Sequence, residues 1–153
     1  MTAVLFVCLG NICRSPTAEA VLRARAAAAG LNLTVDSCGT GGWHVGEPPY
    51  LPAIEAAARR GYDLRPLRAR QLTEQDFTSF DHVLVMDRSN LRDAMAVCPP
   101  EGAKPQLLLD YAPQTGRSDV PDPWYTRDFE GTLDLIEAAT DGLIAALRLQ
   151  PPQ

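Results

Sequence analysis

The chain alternates short apolar runs with longer stretches of helical periodicity. Ala3-Val4-Leu5-Phe6-Val7 is apolar at every position, as a strand buried on both faces requires. A helix follows from about Pro16. It carries Val21, Leu22 and the alanines Ala26 to Ala29, and Gly30 suits its C-terminal cap. Leu33 to Ser37 predicts a second, shorter strand, and Gly39-Thr40-Gly41-Gly42 a glycine-rich turn leading to Trp43. Pro52 to Arg60 predicts a helix closed by Gly61. Val83 to Met86 predicts a third buried strand, Ser89 to Val97 a helix, and Leu107 to Leu109 a fourth strand. Residues 110–130, with Pro113, Pro121 and Pro123, form a long loop, of a length that is usually functional or disordered. The last helix has an apolar stripe of Leu133, Ile136, Ala139, Leu143 and Leu147.

Strands that are apolar on both faces and alternate with helices predict the α/β class, with a parallel sheet covered on both sides. Periodicity does not give the strand order. Open sheets of this kind bind ligands beyond the C-terminal ends of their strands. The segment after Val7, the Trp43 turn and the 110–130 loop all follow strands, so they can share one rim. The chain has 153 residues and no internal repeat, which predicts a single domain over 1–153.

The most informative stretch is Cys8-Leu9-Gly10-Asn11-Ile12-Cys13-Arg14-Ser15. It puts a cysteine at a strand end, an arginine six residues on, and a helix start just after, with Pro16 in its first turn. A tight loop there points backbone N–H groups at an anion, at the positive end of the helix dipole. The same field favours a thiolate at Cys8. Arg14 carries a planar fork able to hold two phosphate oxygens, in the first helical turn, where a cation is electrostatically disfavoured unless an anion is nearby. Gly10 and Asn11 tolerate the positive φ that converging N–H groups demand. Ser15 is a candidate N-cap.

Composition narrows the partners. Fourteen basic against nineteen acidic residues give a net charge of −5, which argues against nucleic acid but leaves room for a local cationic pocket. No apolar run reaches the ~18 residues of a membrane span, and the start lacks a secretory pattern. Four cysteines are few for a disulfide scaffold, so a reduced, cytoplasmic protein is expected. Cys8 and Cys13 lack a second ligand pair at zinc spacing, so no metal or other cofactor is expected.

Cys-x5-Arg-Ser between a strand and a helix resembles the phosphate loop of cysteine-dependent phosphatases. With Gly10-Asn11 and its N-terminal place, the string is similar to that of the low-molecular-weight protein tyrosine phosphatase family. Ala69-Arg70-Gln71-Leu72-Thr73, Met86-Asp87-Arg88-Ser89-Asn90-Leu91 and Asp122-Pro123-Trp124-Tyr125 resemble family segments, in the family's order and over nearly the whole chain. The resemblance implies a three-layer α/β/α sandwich with a central four-stranded parallel sheet and an N-terminal phosphate-binding loop. It implies a phosphotyrosine-containing protein as substrate, with small aryl phosphates also accepted, and phosphate or another oxyanion bound in the loop.

The implied roles follow. Cys8 is the nucleophile, passing through a phosphocysteine, and Arg14 clamps the phosphate. Leu9, Gly10, Asn11, Ile12, Cys13 and Ser15 complete the loop, with Asn11 tying it down and the Ser15 hydroxyl reaching the Cys8 sulfur. Asp122 is the general acid and base. From the residues alone Asp-Pro is a common turn pair, and Asp110, Asp119 and Asp128 compete; the resemblance selects Asp122. Trp43, Trp124 and Tyr125 wall the cleft, or else fold back onto the core. Ile12 stands where the phosphoarginine-specific branch has threonine, which favours phosphotyrosine. Cys13 either forms a reversible disulfide with Cys8 or is a small buried side chain beneath the loop.

Some positions stand apart. His44 is expected at the rim and His82 in a structural role. Pro49-Tyr50-Leu51-Pro52 departs from the charged sequence expected there, leaving Tyr50 on the cleft rim or simply exposed. Leu67 replaces a frequent histidine. Asp87 to Asn90 is expected to cap a helix. Thioredoxin-coupled arsenate reduction on the same scaffold needs further cysteines after the third strand, and Arg88 to Val97 has none. A binding module without activity would have lost Cys8 or Asp122. A monomer or weak self-association through Trp43 and Tyr125 is expected.

Overall fold

A computed structural model describes residues 1–149. Four strands, β1 (Thr2–Cys8), β2 (Leu33–Gly39), β3 (His82–Val85) and β4 (Gln106–Leu107), form one parallel sheet in the order β2-β1-β3-β4. Six helices accompany them: α1 (Arg14–Ala28), α2 (Leu51–Ala58), α3 (Asp76–Ser79), α4 (Arg88–Val97), α5 (Pro123–Thr126) and α6 (Phe129–Arg148).

β1 is central, and its alternate side chains divide the core into two layers. Val4, Phe6 and Cys8 pack with Val21, Leu22, Ala57, Ile136 and Leu143, from α1, α2 and α6. Leu5 and Val7 pack with Phe77 of α3, Ala94 of α4, Val83 and Val85. Val4, Leu5, Phe6 and Val7 are all fully buried, so the unbroken apolar run is the sequence mark of a strand covered on both faces. The result is the expected α/β/α sandwich with a four-stranded parallel sheet.

Helix ends follow local chemistry. Asp128 caps α6 by accepting from Gly131 N at 2.8 Å, and the stripe Leu133, Ile136, Ala139, Leu143, Leu147 is buried as expected. Gly30, at φ +73°, ends α1, with Leu31 N donating to Ala26 O. At the start of α1 the serine cap is not formed. The helix begins at Arg14, with Cys13 at the cap position and no side-chain cap bond, because the Ser15 hydroxyl is turned inward.

Two more expectations need correction. The fourth strand ends at Leu107, and Leu108–Tyr111 winds into a 3-10 turn. β4 pairs only through Gln106 and Leu107 with β3, while Leu108 and Leu109 drop into the core cluster shared with α6. The loop at 110–130 is ordered by the 3-10 turn Pro113–Thr115, by α5 and by a main-chain bond from Val120 N to Met86 O at 2.8 Å. No helix among the described residues is long and apolar enough to cross a membrane.

The sheet register brings the site together. Cys8 lies opposite Gly39 of β2, and Val7 opposite Val85 of β3. The segments that leave these three strand ends therefore start side by side.

Candidate active site

The segment from Cys8 to Arg14 curls around the sulfur of Cys8. Asn11 N donates to Cys8 Sγ at 3.3 Å, and Ser15 Oγ stands 3.0 Å from the same sulfur. The curl needs Asn11 at φ +58°, a left-handed conformation that asparagine tolerates better than most residues. Its side chain fixes that conformation in three directions. Nδ2 donates to Ser15 Oγ at 2.8 Å and to Ser37 Oγ at 3.0 Å, and Oδ1 accepts from Arg70 N at 3.0 Å. Ser37 Oγ in turn donates to Glu19 Oε1 at 2.7 Å. Burial raises the Glu19 pKa above the usual carboxylate value, partly offset by Ser37 and by Arg23, whose guanidinium lies 2.6 Å away. Ser15 Oγ also donates to Cys38 O at 3.3 Å, and in its contact with the Cys8 sulfur either atom can be the donor.

Arg14 is almost wholly buried, and its guanidinium is held on several sides. Nη1 donates to Asp87 Oδ2 at 2.6 Å and to Val120 O at 3.0 Å, and Nη2 lies 3.5 Å from Asp122 Oδ2. Burial works against its charge. The charges of Cys8, Asp87 and Asp122 more than offset that, and its pKa ends above the ordinary arginine value. Cys13 goes the other way in charge: burial first, then the charges of Cys8 and Asp122, push its thiol up to about 12.

Asp122 opens α5. Its Oδ1 accepts from Trp124 N at 3.0 Å, which caps the helix, while Oδ2 faces Arg14. The competing carboxylates are engaged elsewhere. Asp119 pairs with Arg88, Asp128 caps α6, and Asp110 is exposed on the 3-10 turn. Asp122 alone of the four lines the cleft.

That cleft has a volume of about 200 Å³ and is lined by Cys8, Leu9, Gly10, Ile12, Cys13, Arg14, Trp43, His44, Asp122, Trp124 and Tyr125. Trp43 and Tyr125 are 72 % and 77 % exposed, so the aromatic side chains stand out as walls and do not fold back on the core. The Trp43 ring lies where a side chain at Gly41 would be. His44 is at the rim beside Gly10, with Nδ1 2.6 Å from Glu47 Oε2. Asn11 and Ser15, expected among the substrate-binding residues, do not line the cleft. Their side chains are buried against β2 and the loop's own atoms, while the Asn11 N–H points at the Cys8 sulfur. No group of three His, Cys, Asp or Glu side chains among the described residues is placed to hold a metal ion.

The sequence reading missed two residues that shape the site. Asp87 was expected only as a cap, yet it is also the shortest contact of Arg14. Its signal was an acidic residue just past a buried strand, on the rim where such sheets bind ligands. Tyr50 is neither simply exposed nor part of the cleft lining. Its ring packs 4.6 Å from that of Trp124. Leu67 packs against the core cluster.

Comparison with known proteins adds to this geometry. The family pattern described as low molecular weight phosphotyrosine protein phosphatase matches residues 3–152. The chain is 42 % identical over 151 residues to the low molecular weight protein-tyrosine-phosphatase YfkJ of Bacillus subtilis, covering 97 % of both chains. It is 49 % identical over 156 residues to a low molecular weight protein-tyrosine-phosphatase of Streptomyces coelicolor, covering 96 % of this chain and 94 % of the other. The crystal structure of YfkJ superposes with a TM-score of 0.92 over 97 % of this chain and 95 % of that one. The Drosophila arginine phosphatase, 30 % identical, superposes with a TM-score of 0.90 over 99 % of this chain and 100 % of that one. With the sequence match running nearly end to end and the fold shared to this degree, the chain belongs to the low molecular weight phosphotyrosine protein phosphatase family.

Proposed function

We propose that this protein hydrolyses phosphotyrosine on proteins, and small aryl phosphates, through a phosphocysteine on Cys8. The observation that carries the reading is the convergence of Cys8, Arg14 and Asp122 on one cleft between aromatic walls. The phosphate sits in the loop with its oxygens on backbone N–H groups and on the Arg14 fork. The Cys8 thiolate attacks phosphorus; a P–S bond forms as the P–O bond to the tyrosine oxygen breaks. Asp122, protonated for this step, gives its proton to that oxygen, which would otherwise leave as a phenolate of pKa about 10. In the second step Asp122 takes a proton from water, the water oxygen bonds phosphorus, and Cys8 leaves as thiolate, aided by the Ser15 hydroxyl 3.0 Å away.

The walls favour an aryl group over a phosphorylated guanidinium. Trp43, Trp124 and Tyr125 offer flat apolar surface, and Asp122 is the one carboxylate among the cleft-lining residues. The test is p-nitrophenyl phosphate hydrolysis without metal by wild type, Cys8→Ser and Asp122→Asn, followed by phosphotyrosine and phosphoarginine peptides. Cys8→Ser should abolish turnover. Asp122→Asn should keep most activity on esters with good leaving groups and lose it on phenyl-like ones. Activity that survives Cys8→Ser, or a preference for phosphoarginine, would overturn the reading.

A further inference from the structure

We infer that Tyr50 and Arg127 form a strap that positions the Asp122 segment over the phosphate loop. The inference rests on the reading of Asp122 as the general acid.

α5 has four residues, and Pro123 is the only one buried, so the helix has little of its own to hold it in place. Its position depends on what its ends dock against. The bond from Val120 N to Met86 O and the contacts with Arg14 anchor the segment before it, and the ring contact of α5 itself is with Tyr50, whose ring centroid is 4.6 Å from that of Trp124. Tyr50 is itself rigidly placed. Its N–H donates to Ile12 O at 2.8 Å, inside the phosphate loop, and its carbonyl accepts from Ala53 N and Ile54 N at 2.9 and 3.0 Å. Pro48, Pro49 and Pro52 fix φ on both sides of it. One residue thus grips the phosphate loop with its backbone and the acid-bearing segment with its ring.

Arg127 closes the strap. It ends α5 at φ +62°, a conformation that glycine adopts more easily than arginine. Its side chain is held in a way that offsets this. The guanidinium lies 5.3 Å from the Tyr50 ring centroid and 5.4 Å from that of Phe129. Nη2 donates to Tyr50 Oη at 3.1 Å, and Nη1 donates to Trp124 O at 3.4 Å. Among the described residues this cation pairs with no carboxylate; its contacts go to two rings, a hydroxyl and a carbonyl of the segment it closes. Neither Tyr50 nor Arg127 lines the cleft, so both are positioning residues.

The strap predicts a loss confined to the acid-dependent reaction. The readout is kcat/KM for phenyl phosphate and p-nitrophenyl phosphate, since this ratio reports the first step, in which the alcohol leaves. Variants are Arg127→Gly, which removes the side chain and eases the backbone, Tyr50→Ala, Tyr50→Phe, and Asp122→Asn as reference. Arg127→Gly and Tyr50→Ala should lose about tenfold on phenyl phosphate, part of the 10²–10⁴ a general acid typically supplies, and about twofold on p-nitrophenyl phosphate. Tyr50→Phe keeps the ring and should keep close to the wild-type ratio. Competitive inhibition by inorganic phosphate should be unchanged in all three. If Asp122→Asn shows the leaving-group dependence while Arg127→Gly and Tyr50→Ala lose equally on both substrates, or lose nothing, the strap is wrong and the acid assignment stands. If Asp122→Asn itself shows no such dependence, the acid assignment falls and the strap falls with it.

Discussion

Arg14 Nη1 donates to Asp87 Oδ2 at 2.6 Å, while Asp87 Oδ1 accepts from Asn90 N at 2.7 Å and caps α4. One carboxylate thus aims the buried guanidinium and fixes the start of a helix. The two residues are 73 positions apart: Arg14 opens α1 after the loop that leaves β1, and Asp87 lies just beyond β3, the strand paired with β1.

Asp87→Asn separates the two tasks. Asparagine caps about as well as aspartate, so α4 keeps its start, while Arg14 loses its charged partner. We expect kcat/KM for p-nitrophenyl phosphate to fall about tenfold or more as the guanidinium loses its aim. Asp87→Ala should show the same kinetic loss and about 1 kcal/mol of further destabilisation in urea, from the missing cap. Wild-type kcat/KM in Asp87→Asn would show that Val120 O and the loop orient Arg14 without help.

Ser15→Ala removes the hydroxyl beside the Cys8 sulfur and leaves Arg14 and Asp122 in place. Attack on phosphorus should be little affected, and departure of the thiolate should slow. Stopped-flow measurement with p-nitrophenyl phosphate should then show a burst of nitrophenol followed by slow turnover. A single slow phase without a burst would place the hydroxyl's role in the first step.

Gly39 ends β2 against the phosphate loop. A Cβ there would meet Leu9 O at 2.7 Å and Asn11 N at 3.1 Å, both backbone atoms that cannot swing aside. Gly39→Ala should displace the loop and cost about 1–3 kcal/mol of stability in urea unfolding. It should lower kcat/KM by a similar factor, about tenfold, for good and poor leaving groups, because it moves the whole cradle. A loss confined to poor leaving groups would mean the displacement is passed to the Asp122 segment instead.

Cys13 makes a prediction for alkaline pH. Its thiol has an ordinary value of 9.0 in the unfolded chain and is pushed up to about 12 when folded, mainly by burial, then by the charges of Cys8 and Asp122. Above pH ~9 the unfolded chain releases this proton and the folded one keeps it. Stability should therefore fall with rising pH, by up to about 1.4 kcal/mol per pH unit for this group, until the folded thiol also ionises. Cys38 is shifted in the same direction by burial, so Cys13→Ala removes one part of the slope. Urea unfolding from pH 8 to 10.5 should give a shallower decline in Cys13→Ala than in wild type. Parallel declines would show that Cys13 ionises as readily folded as unfolded.

Much of the site was legible because it is local. The apolar run of β1, Cys8, Asn11, Arg14 and Pro16 lie within sixteen residues, and strand burial, positive φ and helix start each leave a mark in that span. Ser15 shows the limit of local reading. Its place suits a cap, and its hydroxyl instead joins Asn11 and the Cys8 sulfur within the curled loop and Cys38 O of β2, a partner that only the packing of β2 beside β1 presents. Leu108 and Leu109 show another. An apolar run reports burial and not conformation, and at the edge strand β4 the two side chains are buried by α6 after the ladder has ended.

Sequence by itself determined the first three strands, the four longer helices, the two-faced burial of the sheet and the chemistry of the phosphate loop, since periodicity and turn preference act over a few residues. Tertiary structure alone decided that Asp87 also holds Arg14 and that Tyr50 joins the phosphate loop to α5. These pairs are made by the strand order β2-β1-β3-β4, which places distant segments at one rim. That order is set by the packing of whole layers, and no local period encodes it.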